Sequence, residues 1–324
     1  MWDAAGDLGA AVERALLGLA EAVAGAAPGW LALGVLLHLA NQVARGRGWY
    51  AIVRSASGGE RGLRRRDAIA AWVAGAGVGG VASARGGDAV RVLLARRRLS
   101  SEGCPLLAGT IVAEGAGEVA VGVVLLVLAL TLGIGPALGA SATTVAGVAL
   151  GAIAVAGLAV AARRVPRLRS IARGVGRGCA PLRDPAAYAR DVLPWQLASR
   201  ACRLGAVACF LAAFSLPATP AAVLLVVFAQ GSGRMLPFAP ASVGASVALL
   251  AATFGSVTGA AVPAERLAAF FVGTSTVLTA VGIVLAVAIC LPAQASAKQG
   301  RRAGAAAAAV GRRVPARATA VPTP

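Results

Sequence analysis

Two acidic residues, Glu114 and Glu118, lie four positions apart in a long apolar stretch of this sequence. That spacing places both carboxylates on one face of a helix. In a low-dielectric interior, adjacent carboxylates cannot both be ionised cheaply, so either one keeps a proton or cations pair with them. Arg200 and Arg203, in a later apolar stretch, are the predicted partners. The pattern indicates either a polar site that binds a phosphate headgroup or relays protons, or an ion-paired clasp that fixes helix register.

Other charged residues stand near the ends of apolar stretches. Arg85, Asp88 and Arg91 follow a glycine-rich run, and glycines before a helix start can expose backbone N–H groups to a phosphate. Arg234 precedes two prolines, which indicates either a broken helix that contacts an anion or a turn with an interfacial arginine. We expect these arginines to gather phosphate from the cytoplasmic side. The predicted substrate-binding residues are Arg85, Asp88, Arg91, Glu114, Glu118, Arg200, Arg203 and Arg234.

Signatures of catalysis and metal binding are missing from the sequence. The five cysteines are scattered without a Cys-x-x-Cys pair, and His38 is the single histidine. The sequence has no Walker phosphate loop, no HExxH and no Gly-x-Ser-x-Gly elbow. We therefore predict no catalytic residue, no metal and no cofactor. His38, Asn41 and Gln42 share about one face of the first apolar stretch, where hydrogen bonds between helices explain them better than a ligand does.

The composition is that of a membrane protein. Of 324 residues, 58% are hydrophobic and 14% are charged, against about 25% charged in a typical soluble domain. Stretches 141–162, 240–263 and 267–297 contain no charged residue, and each exceeds the roughly 20 residues that span a bilayer. The net charge of +18 comes from arginines between apolar stretches, which argues against nucleic acid as a partner. The predicted fold class is an all-α polytopic helical bundle in the cell membrane.

The distribution of arginines predicts the topology. If the shorter apolar run 68–84 crossed the membrane, the arginine-rich loops 52–67 and 84–104 would face opposite sides, against the positive-inside rule. We therefore predict a re-entrant helical segment there, with the N-terminus outside and the C-terminus cytoplasmic; eight full crossings are the alternative. Asp184 before Pro185 predicts a helix start. The seven predicted spans are 29–51, 105–133, 141–162, 193–216, 219–236, 240–262 and 267–291.

Three regions follow from this topology. Residues 1–28 are predicted to form an amphipathic surface helix, because charged residues interrupt their apolar face. Residues 29–292 form the transmembrane bundle with its re-entrant segment. Residues 293–324 form a basic cytoplasmic tail of low complexity, which we expect to be disordered.

Three segments of the chain resemble the flippase-like transmembrane region of lysylphosphatidylglycerol synthases. Arg47-Gly48-Trp49 ends the first span where that family tends to show Arg-Trp. Segment 84–98 is similar to the family's Pro-x-x-Gly-Glu-x-x-Arg block with its basic continuation, and the two glutamates follow it. Segment 236–244 is similar to its Leu-Pro-x-x-Pro-Gly-x-x-Gly element. The departures from the family pattern are Ala84, Gly115, Ala241 and Ser246, which replace Pro, Arg, Gly and Glu.

The resemblance implies a stand-alone member without the synthase domain that translocates a lipid or polyprenyl-linked headgroup. The predicted function is a flippase or transporter that binds an anionic substrate in a polar intramembrane site, with anionic membrane lipids as partners. One alternative is a non-catalytic scaffold or partner of an envelope or glycosyltransferase complex. A second alternative is an intramembrane lipid-modifying enzyme with Glu114 or Glu118 as its general base.

Overall fold

The computed structural model describes residues 24–59, 62–81, 84–99, 103–132, 134, 166–233 and 239–311. Within these ranges the regular secondary structure is helical, and no strand is present. The helices are α1 (Pro28–Ala56), α2 (Arg65–Val81), α3 (Ala84–Arg96), α4 (Cys104–Thr131), α5 (Pro166–Gly178), α6 (Pro185–Asp191), α7 (Leu193–Ala213), α8 (Pro220–Gly233), α9 (Ala239–Thr258) and α10 (Ala264–Gly311), with a 3-10 helix at Ala180–Arg183.

Among the described helices, two are long and apolar enough to cross a membrane. They are α4 and the segment Ala264–Ile289 of α10, with mean hydropathies of 2.1 and 2.2. The 28 residues of α4 extend about 42 Å at about 1.5 Å per residue, which exceeds a hydrocarbon core of about 30 Å. Only 22% and 17% of their most apolar windows is buried, and the exposed side chains include Val124 at 66% and Val284 at 67%. Exposed apolar helix faces of this length are expected against lipid, which agrees with the predicted class of helical membrane protein.

Most predicted spans contain one helix each. Helices α1, α4, α7, α8, α9 and α10 fall on the predicted spans 29–51, 105–133, 193–216, 219–236, 240–262 and 267–291. The predicted span 141–162 and nearly all of the predicted surface helix 1–28 lie outside the described residues. The number of crossings and the orientation of the chain remain predictions.

The predicted re-entrant segment is the first arm of a helical hairpin. Helix α2 runs through it, and α3, in a stretch that the sequence analysis assigned to a loop, packs back against α2. The close approach depends on two glycines: a Cβ on Gly75 would lie 2.7 Å from the carbonyl oxygen of Gly87. Arg98 follows α3 and lies 3.8 Å from Asp67 at the start of α2. The end of α3 thus lies beside the start of α2, at the open end of the hairpin; whether the hairpin is re-entrant stays a prediction.

Helix α10 is longer than the sequence led us to expect. It continues past Pro292 to Gly311, whereas the low-complexity composition predicts a disordered tail from residue 293 onward. The alanines at 305–309 favour a helix because alanine has the highest intrinsic helix propensity. The boundary between bundle and tail therefore stays a prediction, and residues 312–324 lie outside the described part of the chain.

The two larger apolar clusters among the described residues hold the helices together. The larger one joins α7, α8, α9 and α10, and its centre includes the fully buried side chains of Leu211, Leu225, Phe254 and Phe270. The smaller one joins α1, α2 and the start of α4 around Trp49. Helices α1 and α7 pack side by side in opposite directions, and α5 crosses the start of α4. The charged residues of α4 therefore face a space bounded by α1, α3 and α7.

One local prediction about helix capping is confirmed. Asp184 is the N-cap of α6, and its carboxylate accepts a hydrogen bond from the backbone N–H of Ala187 at 2.9 Å. Pro185 occupies the first helical turn, where no intrahelical N–H donor is needed.

Candidate functional site

Glu114 lies between two guanidinium groups in the interior of the bundle. Only 6% of its surface is exposed. Arg91 of α3 donates a hydrogen bond from Nη1 to its Oε2 at 2.8 Å. Arg45 of α1 places Nη2 3.6 Å from its Oε1. A buried carboxylate is costly unless it is paired, and here two cations from two other helices pair with it.

Glu118, one turn further along α4, shares one of these cations. Arg45 Nη2 donates a hydrogen bond to Glu118 Oε1, so this arginine bridges both acids. Arg200 of α7 places Nη2 3.6 Å from Glu118 Oε2. We call Arg45, Arg91 and Arg200 the guanidinium cluster. The three arginines exceed the two glutamates by one positive charge.

Asp88 lies at the edge of the cluster and balances the remaining charge. Its Oδ1 is 3.2 Å from Arg91 Nη2, and its side chain is 46% exposed. Because this acid is partly exposed while Arg91 is 3% exposed, the positive charge of the cluster is concentrated in the interior and the compensating charge lies at its rim.

Two tryptophans contact two of the three arginines, Arg45 and Arg91. The Cζ atom of Arg91 lies 4.3 Å from the ring centroid of Trp72 and 5.2 Å from that of Trp49. Arg45 also lies over Trp72, at 4.8 Å. Trp49 is fixed in turn by a hydrogen bond from its indole N–H to Thr110 Oγ1 at 3.1 Å. Cation–π contacts strengthen when water is excluded, so these rings stabilise both cations in the interior.

A small pocket opens beside the acids. Its volume of ≈ 10 Å³ is about what one water molecule requires. The lining comes from α1, α4 and α7: Ala44, Arg45, Gly48, Trp49, Glu114, Glu118, Val121, Gln196, Ser199 and Arg200.

Gln196 connects this pocket to α6. Its Nε2 donates to the hydroxyl of Tyr188 at 3.0 Å and to the backbone oxygen of Glu114 at 3.4 Å. Tyr188 donates to the backbone oxygen of Ala113 at 3.1 Å. Burial raises the pKa of Tyr188 above its usual value, although the hydrogen bond from Gln196 opposes this, so the phenol remains a donor at neutral pH. The buried Oε1 of Gln196 has no hydrogen-bond partner among the described residues.

The structure brings most of the predicted site residues together. Asp88, Arg91, Glu114, Glu118 and Arg200 form one ion-pair network. The expected contact between Arg200 and the acid pair is present, but the closest partner of Glu114 is Arg91.

The remaining predicted residues are placed differently. Arg203 donates from Nη2 to Gln230 Oε1 of α8 at 3.3 Å. Arg85 lies in the first turn of α3, but its side chain is outside the described part of the structure. Arg234 lies outside the described residues altogether.

Sequence reasoning missed Arg45, the arginine that bridges the two acids. A signal for it exists, because Gln42, Arg45 and Trp49 recur at i, i+3 and i+7 and form one stripe along α1. Gln42 confirms the expectation of hydrogen bonds between helices, since it accepts from Trp72 Nε1 at 3.0 Å. Among the described residues, no group of three His, Cys, Asp or Glu side chains is arranged to hold a metal ion.

The fold and the site define a helical membrane protein with an ion-pair network at the junction of four helices. The family model of the lysylphosphatidylglycerol synthase TM region matches residues 15–286, which include all of these helices and every predicted site residue. The chain therefore belongs to this family, as the resemblance predicted, and the family ties it to a lipid-related function in the membrane. No curated protein and no solved structure matches the chain.

Proposed function

We propose that this protein is a flippase or transporter for a lipid or polyprenyl-linked headgroup, and that the guanidinium cluster binds the anionic part of that headgroup. The observation that carries the proposal is the convergence of arginines from α1, α3 and α7 on one acid pair of α4, beside a pocket. In this assignment the glutamates balance charge when no substrate is bound.

The chemistry of the cluster suits exchange between a carboxylate and a phosphate. Guanidinium groups bind both anions through similar paired hydrogen bonds. A phosphate entering the pocket can take Arg200 from Glu118 first, because their contact is loose at 3.6 Å. It then competes with Glu118 for Arg45, which donates a hydrogen bond to that acid. Glu114 keeps Arg91 at 2.8 Å throughout this exchange.

The energetic cost of the network favours a functional role over a purely structural one. Removing each ion from water costs several kcal/mol, and replacing buried ion pairs by apolar residues is often neutral or stabilising. Ionisable residues at membrane depth commonly mark substrate or ion pathways. Small and apolar residues, which dominate these helices, would fix the helix register at a lower desolvation cost than a network of buried ions.

The described conformation is closed to a headgroup. A pocket of ≈ 10 Å³ admits about one water molecule, whereas a phosphate needs several times that space. Binding therefore requires α1 or α7 to move away from α4. Ala44, Arg45, Gly48 and Trp49 line the pocket on the α1 side. Ala44 and Gly48 are small, so the charged group that an entering phosphate must displace there is the guanidinium of Arg45.

The test is headgroup translocation in proteoliposomes that contain fluorescent phosphatidylglycerol, with lipid accessibility measured by a membrane-impermeant quencher. We expect Arg200→Ala and Glu114→Gln each to slow translocation at least tenfold, which corresponds to about 1.4 kcal/mol of lost interaction. The matched control is Arg190→Ala, because Arg190 is exposed and pairs with its neighbour Asp191 outside the site. Translocation at the wild-type rate in both site variants would remove the proposal. Stable co-purification of a protein partner by a chain that translocates no lipid would favour the scaffold alternative.

A further inference from the structure

A chain of two hydrogen bonds links the single histidine of the protein to Trp72, whose ring contacts two arginines of the guanidinium cluster. Trp72 Nε1 lies 3.0 Å from Gln42 Oε1, and Gln42 Nε2 lies 3.1 Å from His38 Nε2. An indole N–H can only donate, so the oxygen of the Gln42 amide must face Trp72 and its NH₂ group must face His38. His38 Nε2 must then accept a hydrogen bond, which requires the uncharged imidazole with its proton on Nδ1.

We propose that His38 is a proton-responsive positioning residue that controls the guanidinium cluster through Gln42 and Trp72. The role of the cluster as the substrate site rests on the proposed function, whereas the hydrogen-bond chain stands independently of it. In the uncharged state His38 fixes the Gln42 amide, and the amide fixes the indole of Trp72.

Protonation of His38 is incompatible with this chain. The imidazolium carries a proton on each nitrogen, so its Nε2–H opposes the NH₂ group of Gln42. Turning the amide over satisfies His38, but it presents the NH₂ group to the indole N–H of Trp72. In either orientation one of the two hydrogen bonds is lost, because the three groups then have more donors than acceptors along the chain.

Loss of this chain reaches the site through the ring of Trp72. That ring lies against both Arg45, at 4.8 Å, and Arg91, at 4.3 Å. These are the two arginines that hold Glu114. When the indole loses its fixed acceptor, the ring can tilt, and both guanidinium groups gain freedom to leave the acids. Protonation of His38 therefore favours the exchange of anions that the closed pocket prevents.

Charged and titratable groups stand on every helix that packs against α1, and they include Cys104 of α4 and Cys209 of α7. Helix α2, which packs beside α1, has no charged residue after Asp67, and Asp88 and Arg91 stand behind it on α3. Helix α4 contributes Glu114 and Glu118, and α7 contributes Arg200, Cys202 and Arg203. The arginines of α5 and of the 3-10 helix belong to the same end of the bundle as the start of α4. Histidine is the side chain that ordinarily titrates between about pH 5 and 8, and variants of His38 and Gln42 separate its transition from any titration of the acids.

The test of the hydrogen-bond chain uses the intrinsic tryptophan fluorescence of the full chain in lipid nanodiscs, titrated from pH 8 to pH 5 without substrate. We expect one transition in this range, lost in Trp72→Phe and in His38→Gln, since a glutamine at position 38 offers an acceptor at every pH. The matched control is Trp195→Phe, which must keep the transition because Trp195 contacts Arg47, outside this chain. Gln42→Leu, which retains the histidine, must also abolish it, and this variant decides the question if His38→Gln fails to fold. A transition that survives in these variants, or no transition in the wild type, overturns the proposal.

A translocation measurement separates this inference from the proposed function. In the phosphatidylglycerol proteoliposomes we expect the wild-type rate to rise at least threefold between pH 8 and pH 5.5, and the rate of His38→Gln to stay constant. Translocation with the same pH profile in both proteins overturns the role of His38 while the proposed function stands. A fluorescence transition that depends on His38, in a protein that moves no lipid at either pH, keeps the proton-responsive chain and removes the proposed function.

Discussion

Replacing Gly117 by alanine tests the packing that supports the site. A Cβ at this position would lie 2.5 Å from Gln196 Oε1 and 2.6 Å from Gln196 Nε2, and closer still to the hydroxyl of Tyr188. Both side chains would have to move. The movement breaks the hydrogen bonds from Gln196 to Tyr188 at 3.0 Å and from Tyr188 to Ala113 at 3.1 Å.

The expected magnitude follows from these two hydrogen bonds. A buried polar group left without a partner costs about 1–3 kcal/mol. Both of these hydrogen bonds are only partly buried, so we take about 1–2 kcal/mol for each and about 2–4 kcal/mol in total. Alanine recovers about 1 kcal/mol through its higher helix propensity. We therefore expect Gly117→Ala to lower the free energy of unfolding by about 1–3 kcal/mol.

Gly115→Ala is the matched control, because it lies on the same helix and a Cβ there meets nothing within 4 Å. We expect it to be neutral or stabilising, so the two variants should differ by about 2–4 kcal/mol. The assay is denaturant unfolding in mixed micelles, followed by circular dichroism. In a Tyr188→Phe background the closest contact is absent, and the cost of Gly117→Ala should shrink measurably. Equal stabilities of the two alanine variants would show that the described packing around Gly117 is wrong.

Three further predictions concern the bridging arginine, the phenol and the hairpin. Arg45→Gln removes the cation shared by both acids and should lower the free energy of unfolding by about 3 kcal/mol, the lower end of the range for broken buried pairs, since these pairs are partly exposed. The control Arg54→Gln changes an exposed arginine and should alter the free energy of unfolding by less than about 0.5 kcal/mol. Because the pKa of Tyr188 is raised, its proton is bound more tightly in the folded state, so the contribution of Tyr188 to stability should be constant below about pH 10 and should fall above it. Unfolding measured from pH 8 to pH 11 should therefore show a smaller loss of stability above about pH 10 in Tyr188→Phe than in the wild type. Ser55→Cys and Arg97→Cys, each made in a cysteine-free background, should react with a membrane-impermeant thiol reagent added on the same side of the membrane. Labelling of the two cysteines from opposite sides would refute the re-entrant hairpin.

The helical membrane class and part of the site were predictable from local patterns. Charge-free stretches longer than a bilayer core predict helices wherever they occur, and the structure has one in most of them. Glu114 and Glu118 share a face because helical geometry at spacing four leaves no other arrangement. The N-cap at Asp184 was predictable for the same local reason.

Helix α3 and the length of α10 were not predictable in the same way. Segment 84–96 carries arginines and two glycines, so its composition is typical of a loop, and its helix is stabilised by packing against α2 through Gly75 and Gly87. Tertiary packing of this kind overrides weak local propensity. In α10, the alanine-rich composition that indicated low complexity also favours helix.

The sequence by itself determined that this chain is a helical membrane protein and that two neighbouring acids in it need either cations or a proton, because both conclusions depend only on hydrophobicity and spacing along the chain. Only the tertiary structure decided which cations meet them: Arg45 and Arg91 lie far from Glu114 in sequence and reach it through contacts between helices. It also decided that the one histidine is tied to this network through Gln42 and Trp72. The physical reason is that helix periodicity gives each residue a direction around its own axis, whereas the neighbour in that direction is chosen by how the helices pack.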